Sequence, residues 1–518
     1  APNMFLHRYV WVFSTLIIYM AAETLVRIRE IKRIHLSIPF LLLVTGFFLT
    51  FYFRDHYPYL EPIHFILTVE FLLAYSILLI GKIYKKIPFK IFSLLSLGFV
   101  LFEMGLHSHY QIEGLAAEWN FPSRSNYEDQ LTEIDNLVKG TNSKNSYFYR
   151  TEKLDIQTGN DSMKYNYYGI SQFSSIRNRS SSSTLDKLGF RSDGTNLNLR
   201  YQNNTIIADS LFAVKYNLAE SDPLKYGFSL YQTEVGLSSY KNEYATQLAI
   251  LTEGVYKDVK FTNLTLDNQT RFLNQITGLE QTYFTKLYPL AKKNATELNN
   301  RVTVQTPENE DMPRVNYELT VPADSQLYIS IPNISFSNED QEIVQISVNN
   351  VSTNFTLDNT FSIFNIGYFE KGQNLNVVIR FPYNSQVSFD QPQFYHLDTR
   401  AYQAAMGIIK SQKVEVKTYQ NMVEANYNAT KESSLLFTLP YDKGWSASLN
   451  GKPIKIRRAQ HGFMKIDVPK GQGTVVLTFV PQGFWTGLLS SLAGIILFFL
   501  YSLFKQRRKL TLSRFKDT

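Results

Sequence analysis

The last apolar run of the chain, Gly483–Phe504, constrains what it can fold into more than any other feature. Gln482–Phe504 carries no charged residue and is followed at once by Lys505, Arg507, Arg508 and Lys509. At about 1.5 Å per residue, such a helix is long enough to cross a hydrocarbon core roughly 30 Å thick. Lys/Arg-rich flanks stay on the cytoplasmic side, so the tail 505–518, which continues through Arg514 and Lys516, is expected inside the cell. The several hundred polar residues that precede the run are then expected outside it.

Four more apolar stretches lie near the N-terminus: about Met4–Val26, Leu36–Phe53, Pro62–Gly81 and Ile87–Leu106. The connector after the first holds Arg27, Arg29, Lys32 and Arg33, and the connector after the third holds Lys82, Lys85, Lys86 and Lys90. The loop between the second and third, Arg54–Glu61, is mixed in charge and aromatic. Positive-inside topology puts the two basic connectors in the cytoplasm and the mixed loop outside, and all five spans then agree in orientation. This places residue 1 on the outer face. No basic segment precedes a short apolar core at the start, as a signal peptide requires. The expectation is therefore that further spans are supplied by an upstream membrane half or by a partner chain.

Composition narrows the classes further. The net charge of +7 comes with basic clusters that sit beside apolar spans, so topology accounts for it and nucleic-acid binding is not expected. There is no cysteine, which excludes disulfides, thiolate metal sites and cysteine nucleophiles. A large exterior domain without disulfides fits a bacterial surface. No nucleotide-binding loop, zinc motif or nucleophile elbow is present.

From His107 to about Pro481 the patterns are those of a large exterior region. His107–Asn126 reads as a juxtamembrane connector and Tyr127–Lys139 as a weak helix. Ser146–Arg150 reads as a strand, Thr184–Leu188 as a short helix, Ser210–Tyr216 as a buried strand and Gln269–Leu287 as a helix. From about Arg301 the alternation and turn signals are those of strands. Two sets of segments repeat: Gln326–Pro332, Val344–Asn350 and Lys371–Phe381, then Ser434–Pro440, Trp445–Gly451 and Lys470–Phe479. Asn450-Gly451 is a type I′ hairpin signal, because both residues tolerate positive φ. An apolar helix, Thr399–Lys410, separates the sets. The expected organisation is a membrane region over 1–106, a mixed α/β domain over 107–300, and a β-sandwich over 301–398. A second β-rich unit follows over 399–481, then the final span over 482–504 and the basic tail.

Asn3–Tyr9, Phe148–Arg150, Gly169–Ser175, Asp209–Tyr216, Gly444–Lys452 and Gly462–Met464, in this order and ahead of a final anchor with a basic tail, resemble the YfhO family of bacterial membrane proteins. The resemblance covers nearly the whole chain. It implies a GT-C-type glycosyltransferase that adds sugars from a polyprenyl-phosphate donor to lipoteichoic acid or a related envelope polymer, in a cell that is expected to be Gram-positive. It also implies a catalytic carboxylate in the first exterior loop of an N-terminal membrane half that has no counterpart in these residues, so no catalytic residue carries over. The alternative is a non-catalytic, membrane-anchored module that binds or assembles wall polysaccharide.

Such a transfer needs a carboxylate to take the acceptor proton and cations or a metal for the departing phosphate. His7 and Arg8 enter the first span from outside, where Arg8 either grips a lipid phosphate or snorkels toward headgroups. Arg54, Asp55 and His56 either line the same site or form a solvated turn. Glu70 lies near mid-membrane, at a cost of about 2.5–3.5 kcal/mol on insertion scales, and faces either a polar cavity or an interhelical hydrogen bond. Glu103 and His107, four residues apart, share a helix face as either an acid–base pair or interface anchors. A divalent metal is compatible with this chemistry, but two ligands do not complete a site. Tyr165, Tyr167 and Tyr168 are candidates for an exposed surface that stacks on acceptor sugars, whereas Trp445 is expected to pack in a core. Together these readings predict a polytopic α-helical membrane protein with five transmembrane helices in a GT-C-like partial bundle. Its large extracellular α+β domain ends in jelly-roll-like β-sandwich units.

Overall fold

The computed structural model describes residues 10–31, 33–56, 61–118, 123–155, 157–174, 176–192, 198–201, 204–308, 311–338, 342–349, 351–356 and 363–514. The chain divides into two compact units, Ala1–Tyr127 and Glu128–Thr518.

The first unit is helical: α1 (Val10–Val26), α2 (Arg33–Tyr52), α3 (Pro62–Ile83) and α4 (Phe89–Glu118). Helix α3 starts where proline is tolerated, since Pro62 has no N–H to leave unpaired, and Glu61 N donates to His64 Nδ1 at 3.1 Å to close a capping box. Aromatic rings hold the helices together, Phe51 on Phe65 at 5.3 Å and Phe71 on Phe102 at 6.1 Å. Their other faces expose Leu, Ile and Phe, as a lipid-facing surface requires. Four described helices are long and apolar enough to span a membrane: Ile34–Tyr52, Pro62–Ile83, Phe89–Ala117 and Phe484–Lys505. This is one fewer than the five expected. Helix α1 has 17 described residues, and residues 4–9 of its expected span lie outside the described ones. The segment expected as a connector after Leu106 continues α4 to Glu118, because nothing between His107 and Glu118 breaks a helix except the tolerated Gly114.

In the second unit a four-stranded sheet runs in the order Arg150–Lys153, Val214–Ala219, Leu237–Asn242, Phe228–Glu234. The first pair is parallel. Helix Leu131–Ser143 covers this sheet with Ile134, Leu137 and Val138. A central core then joins helices Ile206–Leu211, Thr265–Thr277 and Thr399–Ser411 through Phe212, Phe272, Tyr402 and Phe463. Two local expectations are corrected. The strand expected over Ser210–Tyr216 is the end of a helix and the start of a strand, with Ala213 at φ 58° making the turn between them. The helix expected to run from Gln269 to Leu287 stops at Thr277. Gly278 adopts φ 71° and donates its N–H to Asn274 O at 2.8 Å, which ends the helix as a left-handed cap.

The two repeated segment sets fall at equivalent positions of two sheets. One five-stranded sheet has the order Ala291–Lys293, Arg314–Thr320, Asn374–Arg380, Ile343–Val348, Val351–Thr356. The other has the order Val414–Thr418, Met422–Ala429, Gly471–Phe479, Trp445–Leu449, Lys452–Ile454. Counted along the chain, each reads first, second, fifth, third, fourth. Ser325–Ser330 and Ser433–Phe437 lie in the opposing four-stranded sheets and share a buried core with their respective partners. Asn450 at φ 50° and Gly451 at φ 78° form the hairpin turn. Segments from before residue 301 also supply strands: Phe284–Leu287 pairs with Gln393–Asp398, and Ala249–Leu251 pairs with Ser433–Phe437. Both β units are thereby stitched to the mixed region.

Candidate functional site

Strand Gly471–Phe479 ends four residues before the helix that opens at Phe484. Its neighbours define what lies at that end. Trp445 is paired with Phe479, Val480 N donates to Gly444 O at 3.0 Å, and Phe479 N donates to Asn421 O at 2.9 Å. Tyr419 N donates to Met422 O at 2.8 Å and closes the adjacent turn. The helix-proximal edge of the second β unit is therefore rimmed by aromatic side chains.

One cleft on this edge, of about 260 Å³, is lined by Tyr147, Phe148, Tyr168 and Tyr419 together with Asn142, Asn145 and Lys417. Phe148 N donates to Val416 O at 3.5 Å, which fixes the segment 146–149 to the sheet edge. The Tyr168 ring sits 4.9 Å from Phe148, and its carbonyl accepts Thr151 N at 2.8 Å. Tyr168 is 61% exposed and Tyr419 53%, so both rings are open to a ligand while their backbones are held. Aromatic faces offer apolar area with little rotamer freedom to lose, and amides and an ammonium beside them supply directional polar contacts. This combination suits the C–H faces and hydroxyls of a sugar. The lining contains no carboxylate.

The segments 148–153, 169–173 and 209–216, with Tyr201, Lys225 and Thr438, also form buried polar contacts. Arg150 is a buried residue whose guanidinium donates to Phe212 O at 2.7 Å, to Thr438 Oγ1 at 3.1 Å and to Thr438 O at 3.0 Å, tying the mixed region to the second β unit. Glu152 accepts from Ile170 N, from Ser171 N at 3.2 Å and from Ser171 Oγ at 2.9 Å. Asp209 and Lys225 form an ion pair at 2.6 Å with both side chains fully enclosed. Tyr201 OH donates to Asp209 Oδ1 at 2.7 Å. These residues are buried, so they build the scaffold of the cleft rather than its chemistry.

Burial pushes the Glu152 carboxyl up from its ordinary 4.5 to about 7, against the opposing pull of its hydrogen bonds and of Arg150. Between those values the folded chain holds a proton that the unfolded chain has released. Stability linked to Glu152 is therefore present below about pH 4.5 and is lost as pH rises through about 7. Glu152→Gln is expected to flatten this slope. Thermal unfolding of the purified chain at pH 5 and pH 8 checks it: the variant gains on the parent at the higher pH, and parallel curves contradict the assignment.

The candidates read from the sequence are placed as follows. His7 and Arg8 lie outside the described residues. Arg54, Asp55 and His56 form one exposed 3-10 turn, with Arg54 stacked over Phe51 at 4.9 Å. Glu70 is exposed on α3, and no described hydrogen bond or ion pair reaches it. Glu103 accepts from Tyr75 OH at 2.7 Å across α3 and α4, while His107 is exposed one turn further on. Among the described residues no group of three side chains suits a metal ion. The exposed surface expected of three tyrosines reduces to one. Tyr165 is buried at 4% exposure with Ile134 and Leu137, and Tyr167, beyond Asn166 at φ 55°, packs partly against the same cluster. Tyr168 alone reaches the cleft. In the sequence Tyr147 and Phe148 read as part of a strand rather than as site residues, and Tyr419 is not named as one. Their signal is aromatic residues in Asn/Ser/Lys-rich turns, but what joins them is one backbone hydrogen bond, Phe148 N to Val416 O, between segments far apart in the chain.

The comparisons with known proteins bear on the whole chain. A family model described as "Bacterial membrane protein YfhO" matches residues 1–491. An uncharacterized protein YfhO of Bacillus subtilis (strain 168) is 23% identical over 384 residues, which make up 67% of this chain and 43% of that protein. The chain thus spans less than half the length of the curated relative it matches. Among solved structures, a Podospora anserina GH26-CBM35 β-(1,4)-mannanase is 11% identical over 23% of this chain and 28% of its own, with a TM-score of 0.16. The mycobacterial arabinofuranosyltransferase AftD is 9% identical over 51% of this chain and 29% of its own, with a TM-score of 0.13. Scores of this size establish no common fold.

Proposed function

This chain belongs to the YfhO family of bacterial membrane proteins, and on that footing we propose that it forms part of a GT-C-type glycosyltransferase. The reaction in this reading moves a sugar from a polyprenyl-phosphate donor to an extracellular envelope polymer such as lipoteichoic acid. The membrane helices, with α1 as a fifth span, hold the lipid-linked donor. His7, Arg8 and the Arg54–His56 turn are its proposed phosphate contacts, with Glu70, Glu103 and His107 as further polar groups of the same region. The layered β units, read as jelly-roll-like sandwiches outside the cell, present the acceptor.

The observation that carries this reading is the aromatic, amide-lined cleft of Tyr147, Phe148, Tyr168 and Tyr419, on the edge strand of a sheet whose central strand, Gly471–Phe479, leads within four residues into a membrane helix. A polymer held there lies close to where a lipid-linked donor ends. Since the lining has no carboxylate, the cleft holds the acceptor and the base that takes its proton belongs to another part of the enzyme. The same carboxylate-free lining favours a second reading, a membrane-anchored module that binds wall polysaccharide without catalysis.

Membranes containing the full protein, supplied with polyprenyl-phosphate-linked sugars and purified polymer, separate the two. Transfer is expected, and Tyr168→Ala is expected to raise the apparent KM for polymer several-fold with kcat little changed, the signature of lost uniform binding. Polymer binding without turnover supports the second reading instead.

A further inference from the structure

A second cleft, of about 410 Å³, lies by the strands at the opposite edge of this sheet, and its lining includes Tyr441, Asp442, Lys443, Trp445, Ile454 and Ile456. We propose that this cleft is a seat for an anionic phospholipid of the leaflet that adjoins the start of helix Phe484–Arg514.

Three independent observations lead there. The first is position. Trp445 pairs with Phe479, Gly444 O accepts Val480 N at 3.0 Å, and only Val480–Gly483 separate that contact from Phe484. Four residues reach about 14 Å at most, so the cleft cannot leave the interfacial zone of a membrane that the helix crosses. Gly444 is held to this spot, since a Cβ there would lie 2.5 Å from Val480 O. The second is chemistry. One wall is apolar, with the Trp445 ring 4.9 Å from Phe479, and Trp and Tyr are the side chains that settle at the headgroup level. The third is charge. The stretch 441–458 holds the exposed cations Lys443, Lys452, Lys455, Arg457 and Arg458 against one carboxylate, Asp442, whose Oδ1 already accepts Gly444 N at 2.7 Å. Lys443 and Tyr441 line the cleft, Arg458 lies over the Tyr441 ring at 4.7 Å, and Arg457 is paired with Asp467 at 3.0 Å. Ala447 pairs with Ile454, so the chain beyond it brings Lys455 back toward the level of Trp445. An apolar wall beneath a rim of cations matches a glycerol backbone and acyl start beneath a phosphate.

The chain has no cysteine, so Ser446→Cys in the cleft accepts a single bimane label. The full chain so labelled is reconstituted into phosphatidylcholine bilayers that contain either brominated phosphatidylglycerol or brominated phosphatidylcholine at equal fractions. Quenching by the brominated phosphatidylglycerol is expected to be several-fold the stronger, since each juxtamembrane cation enriches an anionic lipid on the order of fivefold. Lys443→Gln combined with Arg458→Gln removes that preference, and raised salt reduces it in the unsubstituted chain. Absence of quenching, or equal quenching by both lipids, overturns the proposal.

Discussion

Lys225→Met is expected to destabilise the second unit by about 3–5 kcal/mol, the cost of breaking one side of a buried ion pair. The lysine donates to Asp209 Oδ2 and to Tyr201 OH, both at 2.6 Å, and to Asn217 Oδ1 at 3.3 Å, with no exposed surface. Methionine fills the volume but leaves the Asp209 carboxylate without its cation. Burial already raises the pKa of Asp209, and Lys225 is the main opposing influence. The variant is therefore expected to recover part of its stability as pH falls and the carboxyl protonates, because the folded state then binds the proton that neutralises it. Adding Asp209→Asn removes the orphaned charge, and the double variant is expected to be more stable than Lys225→Met alone. Thermal unfolding of the detergent-solubilised chain reads all three. A single variant as stable as the parent contradicts the structural role of the pair. Much depends on this site, since helix Ile206–Leu211 carries Asp209 and also meets Tyr402 through Ser210 Oγ at 2.6 Å and Tyr328 through Ile206 N at 3.0 Å.

Four of the five expected membrane spans and the repeated β strands were legible in the sequence because each rests on short-range pattern. An uncharged run near 20 residues long has few alternatives, and an Asn-Gly between alternating segments has few turns available to it. The shared strand order of the two five-stranded sheets follows from the repeat found at Gln326–Phe381 and Ser434–Phe479. What was not legible depended on distant partners. Ser210–Tyr216 is apolar enough for a strand, yet the helix that starts at Ile206 claims its first residues, with Thr205 Oγ1 accepting from Ala208 N at 3.2 Å as the cap. Tyr165, Tyr167 and Tyr168 look alike in sequence, and packing of the first two with Ile134 and Leu137 of a distant helix leaves only Tyr168 exposed to solvent. The cleft itself joins residues 142–149 to 417–419 through the contact of Phe148 with Val416, which no local pattern announces. Of the segments that carry the family resemblance, Phe148–Arg150, Gly169–Ser175 and Asp209–Tyr216 contribute to the buried network of Arg150, Glu152 and Asp209. Their chemistry holds the fold that positions the cleft.

The largest functional effect is expected from the two most exposed rings of that cleft. Tyr168 and Tyr419 carry open aromatic faces with fixed backbones, so their loss removes stacking area without disturbing a core. Surface substitutions of this kind change stability by roughly 0.5 kcal/mol or less, whereas aromatic anchors at binding sites contribute about 1–2 kcal/mol each. The most direct test is the affinity of the full chain, in lipid nanodiscs, for purified lipoteichoic acid, compared with Tyr168→Ala/Tyr419→Ala. The account predicts saturable binding that falls by roughly 30-fold or more in the double variant, with unfolding temperature unchanged. Equal affinity of the two proteins, or no binding by either, contradicts it.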